Sequence, residues 1–486
     1  MEYVLKDFEP RLPLDYFEEI SAIPRGSGNE KAGAAYIAGL AKELGLWVKE
    51  DAAHNVLVKK AATPGCEHLE PILLQSHIDM VAAKEEDSDH DWLNDGLELI
   101  VDGNILRANK TTLGADDARG LAMMLALMDV ESDSFNHPPL EFLFTTGEEV
   151  GFTGAEACEL YDDIVSRKMI NIDAGPEGRV AVSAAGAVEL NIFSNADTVT
   201  ASGEILMVSV TGLQGGHSGM KITDEKANAN KVLGRILFDL WKQFRIRLCS
   251  IEGGVASNVI PMSAKAVIAV DPALRELALE AIAVQARLFK EEFKVTDPGI
   301  TIMAESCSAE TMLNEKSTEK AIRFLFTVSN GVFRMSKEIQ GLPVTSSNLG
   351  IVSMEDGQIR FCFMVRSALI SVKDELVNMM VSIAKLCEMD TIDVGHWLGS
   401  WPYKADSNLR QKAMALYLEE YGKEMSQLAG HAGLEVGVFT DRIPEVDVIA
   451  IGPTCGNQHT PKEWMDLDSF ARVYDYLKKL IMQFAQ

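Results

Sequence analysis

The spacing of apolar and polar positions divides this chain into stretches of different texture. Residues 14–23 and 29–45 repeat apolar side chains at helical intervals, and the Pro24–Gly28 turn separates them. Residues 47–60 predict two short strands around a turn at 52–55. The run PILLQSHIDMV at 71–81 is almost continuously apolar and gains polar residues only toward its end. That pattern predicts a central parallel strand covered on both faces, with its C-terminal end opening on a site. A polar, acidic loop at 83–96 follows, then a hairpin over 98–108 with Asp102-Gly103 at its turn. TTLGADDARG leads from a glycine loop into a strongly apolar helix. EFLFT at 141–145 reads as the next buried strand, 151–161 as the start of another helix, and 168–178 as a strand ending at Asp173. Strand and helix alternate in this way to about residue 183, which predicts an α/β layer with a mostly parallel sheet.

Beyond that point the strands change character. ELNIFS, EILMVSVTG, RIRLCSIEGG and AKAVIAVD alternate apolar with polar residues, as strands with one wet face do. Amphipathic helices lie between them, and the order β-α-β-β-α-β is expected twice between about 185 and 390. The second copy is expected to hold ITIMAES, the 315–327 helix, IRFCFMVRS and the 372–387 helix. From residue 401 the α/β texture returns, with a helix over QKAMALYLEEYG, a buried strand in EVDVIAIGP and a terminal helix over 466–485. The expected organisation is an α/β domain at 1–184 and 396–486, interrupted by an inserted α+β domain of doubled ferredoxin-like units at 185–395.

Composition narrows the function classes. A chain of 486 residues exceeds one ordinary core. The net charge of −27 disfavours nucleic acid and anionic membranes as partners. No apolar run reaches the roughly 18 residues needed to span a bilayer, and the acidic start lacks the apolar core of a secretory leader. The seven cysteines are scattered without a CxxC pair, which suggests neither a disulfide framework nor a thiolate zinc site. A cytoplasmic location is expected.

Candidate chemistry gathers at predicted strand ends and loops: His77 and Asp79 in SHIDM, Asp116 and Asp117 in LGADD, Glu148 and Glu149 in TTGEEVG, Asp173 in INIDAG, and His459 in GNQHTPKE. Taken singly, each has an ordinary reading. A histidine at a strand end is usually just hydrogen-bonded, a GEE turn is usually solvated, Asp173 suits a turn, and Asp116 suits a helix N-cap. Their co-occurrence where α/β ligand sites form changes the weighing. Imidazole and carboxylate together suit zinc and similar divalent ions. Side chains alternate along a strand, so Asp79 shares a face with His77 and can fix its tautomer. Two adjacent carboxylates in a cleft persist only with cations or shared protons nearby.

Together, SHIDMV, TLGADDARG, FTTGEEVG, NIDAG, QGGHSG, ASNVIP, VRS, HAGLE and PTCGNQHTPKE resemble the M20 family of dinuclear zinc peptidases, in its aminoacyl-histidine dipeptidase branch. The match runs in order along nearly the whole chain, and the family's fold, a metal-binding α/β domain interrupted by a lid, agrees with the split above. The resemblance implies that His77 and Asp173 hold one metal, Glu149 and His459 the other, and that Asp116 bridges them. It implies Glu148 as the general base and Asp79 as the partner of His77. In the lid it implies that His217 stabilises the oxyanion, that Asn258 and Arg366 orient the substrate terminus, and that His431 and Gly433 line the substrate. For three of these the residues alone leave plainer readings open: an ion pair for Arg366, a turn for Asn258, a helix cap for His431. Position 117 departs from the pattern, since related dipeptidases often carry Asn there. The long lid implies a site complete within one protomer, in a monomer or a homodimer.

The expectation is therefore a dipeptidase that cleaves unblocked dipeptides, Xaa-His among them, with two divalent ions. Zinc is the first expectation, and manganese or cobalt also fits such ligands. Other M20-type activities (tripeptidase, aminoacylase, deacylase) stay open, as does a non-catalytic metal- or peptide-binding protein on the same fold.

Overall fold

The computed structural model describes residues 3–130 and 135–485. The chain divides into two compact units, the first comprising Met1–Ser183, Tyr403–Ala429 and Glu435–Gln486, the second Ala184–Pro402 and Gly430–Leu434. The divisions thus fall at 183/184 and 402/403, where the sequence suggested 184/185 and 395/396, and the short 430–434 segment goes with the second unit.

The first unit is built on an eight-stranded sheet in the order Trp47–Glu50, Val56–Lys60, Leu140–Thr145, Ile72–His77, Lys168–Asn171, Asp447–Ala450, Arg179–Ser183, Ser426–Ala429. The four strands from Leu140–Thr145 to Asp447–Ala450 run parallel. Ile72–His77 and Leu140–Thr145 are buried at every residue, which is why both read as continuous apolar runs. The helix Ala115–Asp129 is buried along almost its whole length, between the Ile72–His77 strand and the helix Arg11–Ser21. Phe17 of Arg11–Ser21 meets Phe470 of the helix Leu467–Met482 edge to face, with ring centroids 6.3 Å apart. The helix expected after Gly151 is only Thr153–Ala157. Cys158 turns to an extended backbone and ends it. A smaller four-stranded sheet joins the Leu99–Asp102/Ile105–Ala108 hairpin to Trp464–Asp466 and Cys455–Gly456, so His459 sits in the loop between two paired strands.

The second unit holds a nine-stranded sheet. One ferredoxin-like copy runs Glu204–Thr211, helix Ala229–Phe244, Arg247–Gly253, Ala264–Val270, helix Arg275–Glu292, Thr301–Ser306. The other runs Gly186–Asn195, helix Glu315–Thr327, Pro343–Glu355, Gln358–Ser367, helix Ile370–Leu386, Thr391–Val394. The first copy is therefore nested inside the second. This corrects the expected place of ITIMAES: Thr301–Ser306 pairs antiparallel with Glu204–Thr211 and closes the first copy, while Gly186–Asn195 opens the second by pairing with Gln358–Ser367. The copies join where Gly253 meets Val352. Their helices pack on one apolar core, in which Phe324 stands edge-on to Phe361 at 5.0 Å.

Candidate functional site

In the first unit, strand ends and turns carry His77, Asp79, Asp116, Glu148, Glu149, Asp173 and His459 into one cluster. The Ile72–His77 strand ends at His77 itself. Its last turn is fixed by the buried Arg25, whose guanidinium donates to the carbonyls of Ile78 (3.0 Å), Asp79 (3.1 Å) and Gly114 (2.6 Å). Asp79 Oδ1 lies 3.4 Å from the buried His77 Nδ1, close enough to act on it by charge but without hydrogen-bond geometry. The same carboxylate holds the acidic turn: Oδ1 accepts the Glu148 amide at 3.0 Å, and Oδ2 accepts the Glu149 amide at 3.3 Å and the Ser27 hydroxyl at 2.8 Å. Gly147 makes this turn feasible. It sits at φ +60°, and a Cβ there would lie 2.1 Å from Thr153 Oγ1.

Asp116 occupies the centre. Its Oδ1 lies 3.2 Å from His77 Nε2, and its Oδ2 lies 3.4 Å from His459 Nε2. Asp173 Oδ2 approaches His77 Nε2 at 3.7 Å, and Glu149 Oε1 approaches His459 Nε2 at 3.0 Å. Ligand atoms of His77, Asp116 and Asp173 fall within 4.8 Å of one another, as do those of Asp116, Glu149 and His459. The two triads share one carboxylate, which turns one oxygen toward each. Glu149 Oε1 is buried and, despite its closeness to His459, satisfies no hydrogen-bond geometry. An orphaned carboxylate oxygen beside an imidazole nitrogen fits a shared cation, and this nitrogen–oxygen donor set suits two divalent metals. Glu148 also lies within reach of His77 and Glu149 as a third grouping, so proximity alone does not separate ligand from base.

Charge is the main stress on the cluster. Burial pushes the Glu148 carboxyl up to about 8, with Glu435, Glu149 and Asp116 adding to the rise against His77. Burial likewise raises Asp117 to about 7, opposed by Arg119. Asp173 is driven well above the carboxylate range by burial and by Asp116 and Asp117. Asp116 goes the other way: burial is outweighed by hydrogen bonds from His459 and His77 and by the charge of Arg119. The close carboxylates of Asp116 and Glu149 lift His459 to about 10.

Several participants escaped the sequence reading. Glu463 accepts the Gly114 amide at 2.9 Å and the Asp116 amide at 3.3 Å, tying the His459 loop to the backbone of the shared aspartate. Gln458 donates to Asp116 Oδ2 at 3.0 Å. Arg119 donates to Asp173 and Asp117. Glu435 is buried behind the strands, where its Oε2 accepts from Gln75 (2.6 Å) and Thr145 (2.8 Å). Glu463 and Gln458 lie inside the GNQHTPKE motif, and Asp117 beside Asp116 already called for a cation, so a signal existed for three of these residues. Glu435 closes the HAGLE motif, but its acidic side chain alone did not show what it touches.

In the second unit, the ladder between Gly216–His217 and Val259–Ile260 sets Asn258 beside the His217 loop, and the Asn258 carbonyl accepts the Ser218 amide at 2.8 Å. His217 Nδ1 accepts the amides of Gly219 and Met220, each at 3.2 Å. Its proton therefore sits on Nε2, 3.4 Å from Arg366 Nη2, so two donors lie side by side. Arg366 is buried, its Nε is 3.4 Å from Ser218 Oγ, and among the described residues it pairs with no carboxylate. Burial lowers it to about 10. His431 Nε2 is 2.8 Å from Ser346 Oγ, and burial and Arg366 bring its pKa down to about 3. A buried guanidinium without a counter-ion beside neutral imidazoles is the chemistry of an anion receptor. Gly433 lies two residues from His431 in the same short segment.

A model of peptidase family M20/M25/M40 matches residues 73–483. The chain is 34% identical over 485 residues to the cytosol non-specific dipeptidase of Escherichia coli K12, covering 99% of each chain. Its fold is similar to that of the aminoacylhistidine dipeptidase of Vibrio alginolyticus, with a TM-score of 0.93 and 31% identity, covering 98% of this chain and 97% of that one. It is also similar in fold alone to an aminopeptidase PepT from Bacillus cereus, with a TM-score of 0.57 and 14% identity, covering 99% of this chain and all of the other.

Proposed function

The chain belongs to peptidase family M20/M25/M40, and from that premise we propose that it is a dipeptidase acting on unblocked dipeptides, Xaa-His peptides among them, with two divalent metal ions. The observation that carries this reading is the pair of triads sharing Asp116, one carboxylate oxygen to each. The full-length likeness to a relative named cytosol non-specific dipeptidase, and to an aminoacylhistidine dipeptidase structure, supports the substrate class and a cytosolic setting. Among the described residues, no helix is long and apolar enough to cross a membrane.

His77 and Asp173 would hold one ion, Glu149 and His459 the other, and Asp116 both; zinc is the first choice for this ligand set. When bound, such a pair acidifies water and polarises a peptide carbonyl. Glu148 is left as the general base: it takes the proton of the attacking water and hands it to the departing amine. Asp79 orients His77 and keeps Glu148 and Glu149 in one turn. His217, with its proton fixed on Nε2, donates to the oxygen on which charge develops. Arg366 and Asn258 take the substrate's free carboxylate, and His431 and Gly433 line its side.

The test is Glu148→Ala. Metal content should stay at two ions per chain while turnover of dipeptides falls by about 10²–10⁴-fold; retained turnover removes Glu148 as the base. A parallel panel of free dipeptides, tripeptides and N-acylated amino acids fixes the substrate class, and preference for acylated compounds overturns the dipeptidase reading.

A further inference from the structure

Arg119 lies inside the metal-binding cluster, 2% exposed. Its Nη2 donates to Asp173 Oδ1 at 2.9 Å and its Nε to Asp117 Oδ1 at 3.2 Å, and the same Nη2 stands 3.8 Å from Asp116 Oδ1. The guanidinium therefore occupies one oxygen of Asp173, and the other oxygen, Oδ2, is the one that faces His77. Asp117 is itself anchored away from the triads, with its Oδ2 held by Ser76 Oγ and its Oδ1 reached by the Gly120 amide at 3.3 Å.

We propose that Arg119 is a positioning residue that sets the metal preference of the His77–Asp173 position, by locking Asp173 as a one-oxygen ligand. This rests on the metal reading above. Zinc is satisfied by four ligands in a tetrahedral site, with one oxygen per carboxylate. Oxygen-seeking ions such as manganese and calcium fill larger shells and often take both oxygens of a carboxylate. At this position a two-oxygen grip by Asp173 requires breaking a buried, charge-assisted hydrogen bond to Arg119. The same positive charge opposes every dication entering there, so its removal strengthens binding in general and helps the ions of larger shell most. Asp117 and Arg119 act as a matched pair: the extra carboxylate holds the guanidinium where it reaches Asp173.

The test uses the full chain stripped of metal with a chelator, then titrated with Zn²⁺ and with Mn²⁺ against a competing indicator. Arg119→Met should narrow the Zn²⁺-over-Mn²⁺ affinity ratio at one of the two sites by about tenfold or more. Arg119→Lys keeps a charge and a donor for Asp173, and should keep most of the wild-type ratio. If Arg119→Met does not fold, because Asp117 is left charged and unpaired, the double variant Asp117→Asn/Arg119→Met removes both charges and should show the same narrowing. A ratio in the folded variant equal to that of the wild type overturns the inference while leaving the metal reading intact. A wild-type chain that takes up no divalent ion overturns both.

Discussion

Asp79→Asn tests how the acidic turn is held. In the native chain both oxygens of Asp79 accept backbone amides, Oδ1 from Glu148 at 3.0 Å and Oδ2 from Glu149 at 3.3 Å. Asparagine has one acceptor oxygen, so one amide must face the new NH₂ group. Losing a hydrogen bond to a charged acceptor costs about 1.5–3 kcal/mol, and leaving a part-buried donor unpaired adds about 1–3 kcal/mol. The midpoint, about 4 kcal/mol, corresponds to an opening equilibrium for the turn raised about a thousandfold. Amide hydrogen exchange reads this directly: the Glu148 and Glu149 amides should exchange about three orders of magnitude faster, while amides of the Lys168–Asn171 strand keep their protection. Because Glu149 is a proposed ligand and His77 loses its orienting carboxylate, divalent-metal affinity should fall about 10–100-fold in the same variant. Exchange within tenfold of wild type at both amides, with metal affinity unchanged, would refute the view that Asp79 organises the turn.

Two further outcomes follow from the same geometry. Lys231→Met removes an Nζ that donates to the carbonyls of Leu325 (2.6 Å), Phe326 (3.1 Å) and Val328 (2.7 Å) at the end of the helix Glu315–Thr327. Thermal unfolding should show the chain less stable by about 2 kcal/mol, with dipeptide turnover at 25 °C unchanged; an unaltered melting profile counts against this cap. Without metal, His459 stays protonated to about pH 10 because Asp116 and Glu149 hold its proton. Metal must displace that proton, so affinity should rise between pH 6 and 9 with release of about one proton from this residue, measurable by titration in weak buffer. The stability that this ion pair lends the metal-free chain runs the opposite way: it is complete below the unfolded value of about 6.5 and is lost as pH rises through about 10. Metal affinity that falls as pH rises contradicts both statements.

The hydrophobic pattern made the fold legible where local period and burial agree. ILLQSH reads as a central strand because both its faces are covered, and EILMVSVT reads as a one-sided strand because alternate residues are buried. The nesting of the two ferredoxin-like copies was not legible. Which strand ITIMAES joins is decided by its ladder to Glu204–Thr211, and the copies share no sequence repetition that would announce it. In the cluster, side chains whose chemistry is distinctive wherever they stand, such as His77 or His459, were readable at their motifs. Residues whose role depends on what they touch were not. Glu435 looks like any acidic residue ahead of a helix until Gln75 and Thr145 are found donating to it. Arg366 could have served a surface ion pair, and its burial with no carboxylate partner among the described residues is what supports the anion-binding role proposed for it.

The cluster's charges give their own argument for cations. Asp79, Asp116, Asp117, Glu148, Glu149, Asp173, Glu435 and Glu463 occupy one region, with Arg25 and Arg119 as its guanidinium groups. Arg25 is spent on carbonyls and Arg119 on Asp117 and Asp173. The remaining negative charge shows in Glu148 and Asp117, pushed to about 8 and about 7, and in Asp173, pushed higher still. Protonating a carboxylate relieves this repulsion but removes a ligand or a base; placing divalent cations among the oxygens relieves it and keeps both. The roles proposed for Glu148 and Glu149 then differ although the two are neighbours. Glu149 Oε1 points at His459 and shares a triad with it, whereas Glu148 stands in no triad with Asp116. In the proposed reading Glu149 would satisfy a cation shared with Asp116, and Glu148 would keep a carboxylate that can accept a proton.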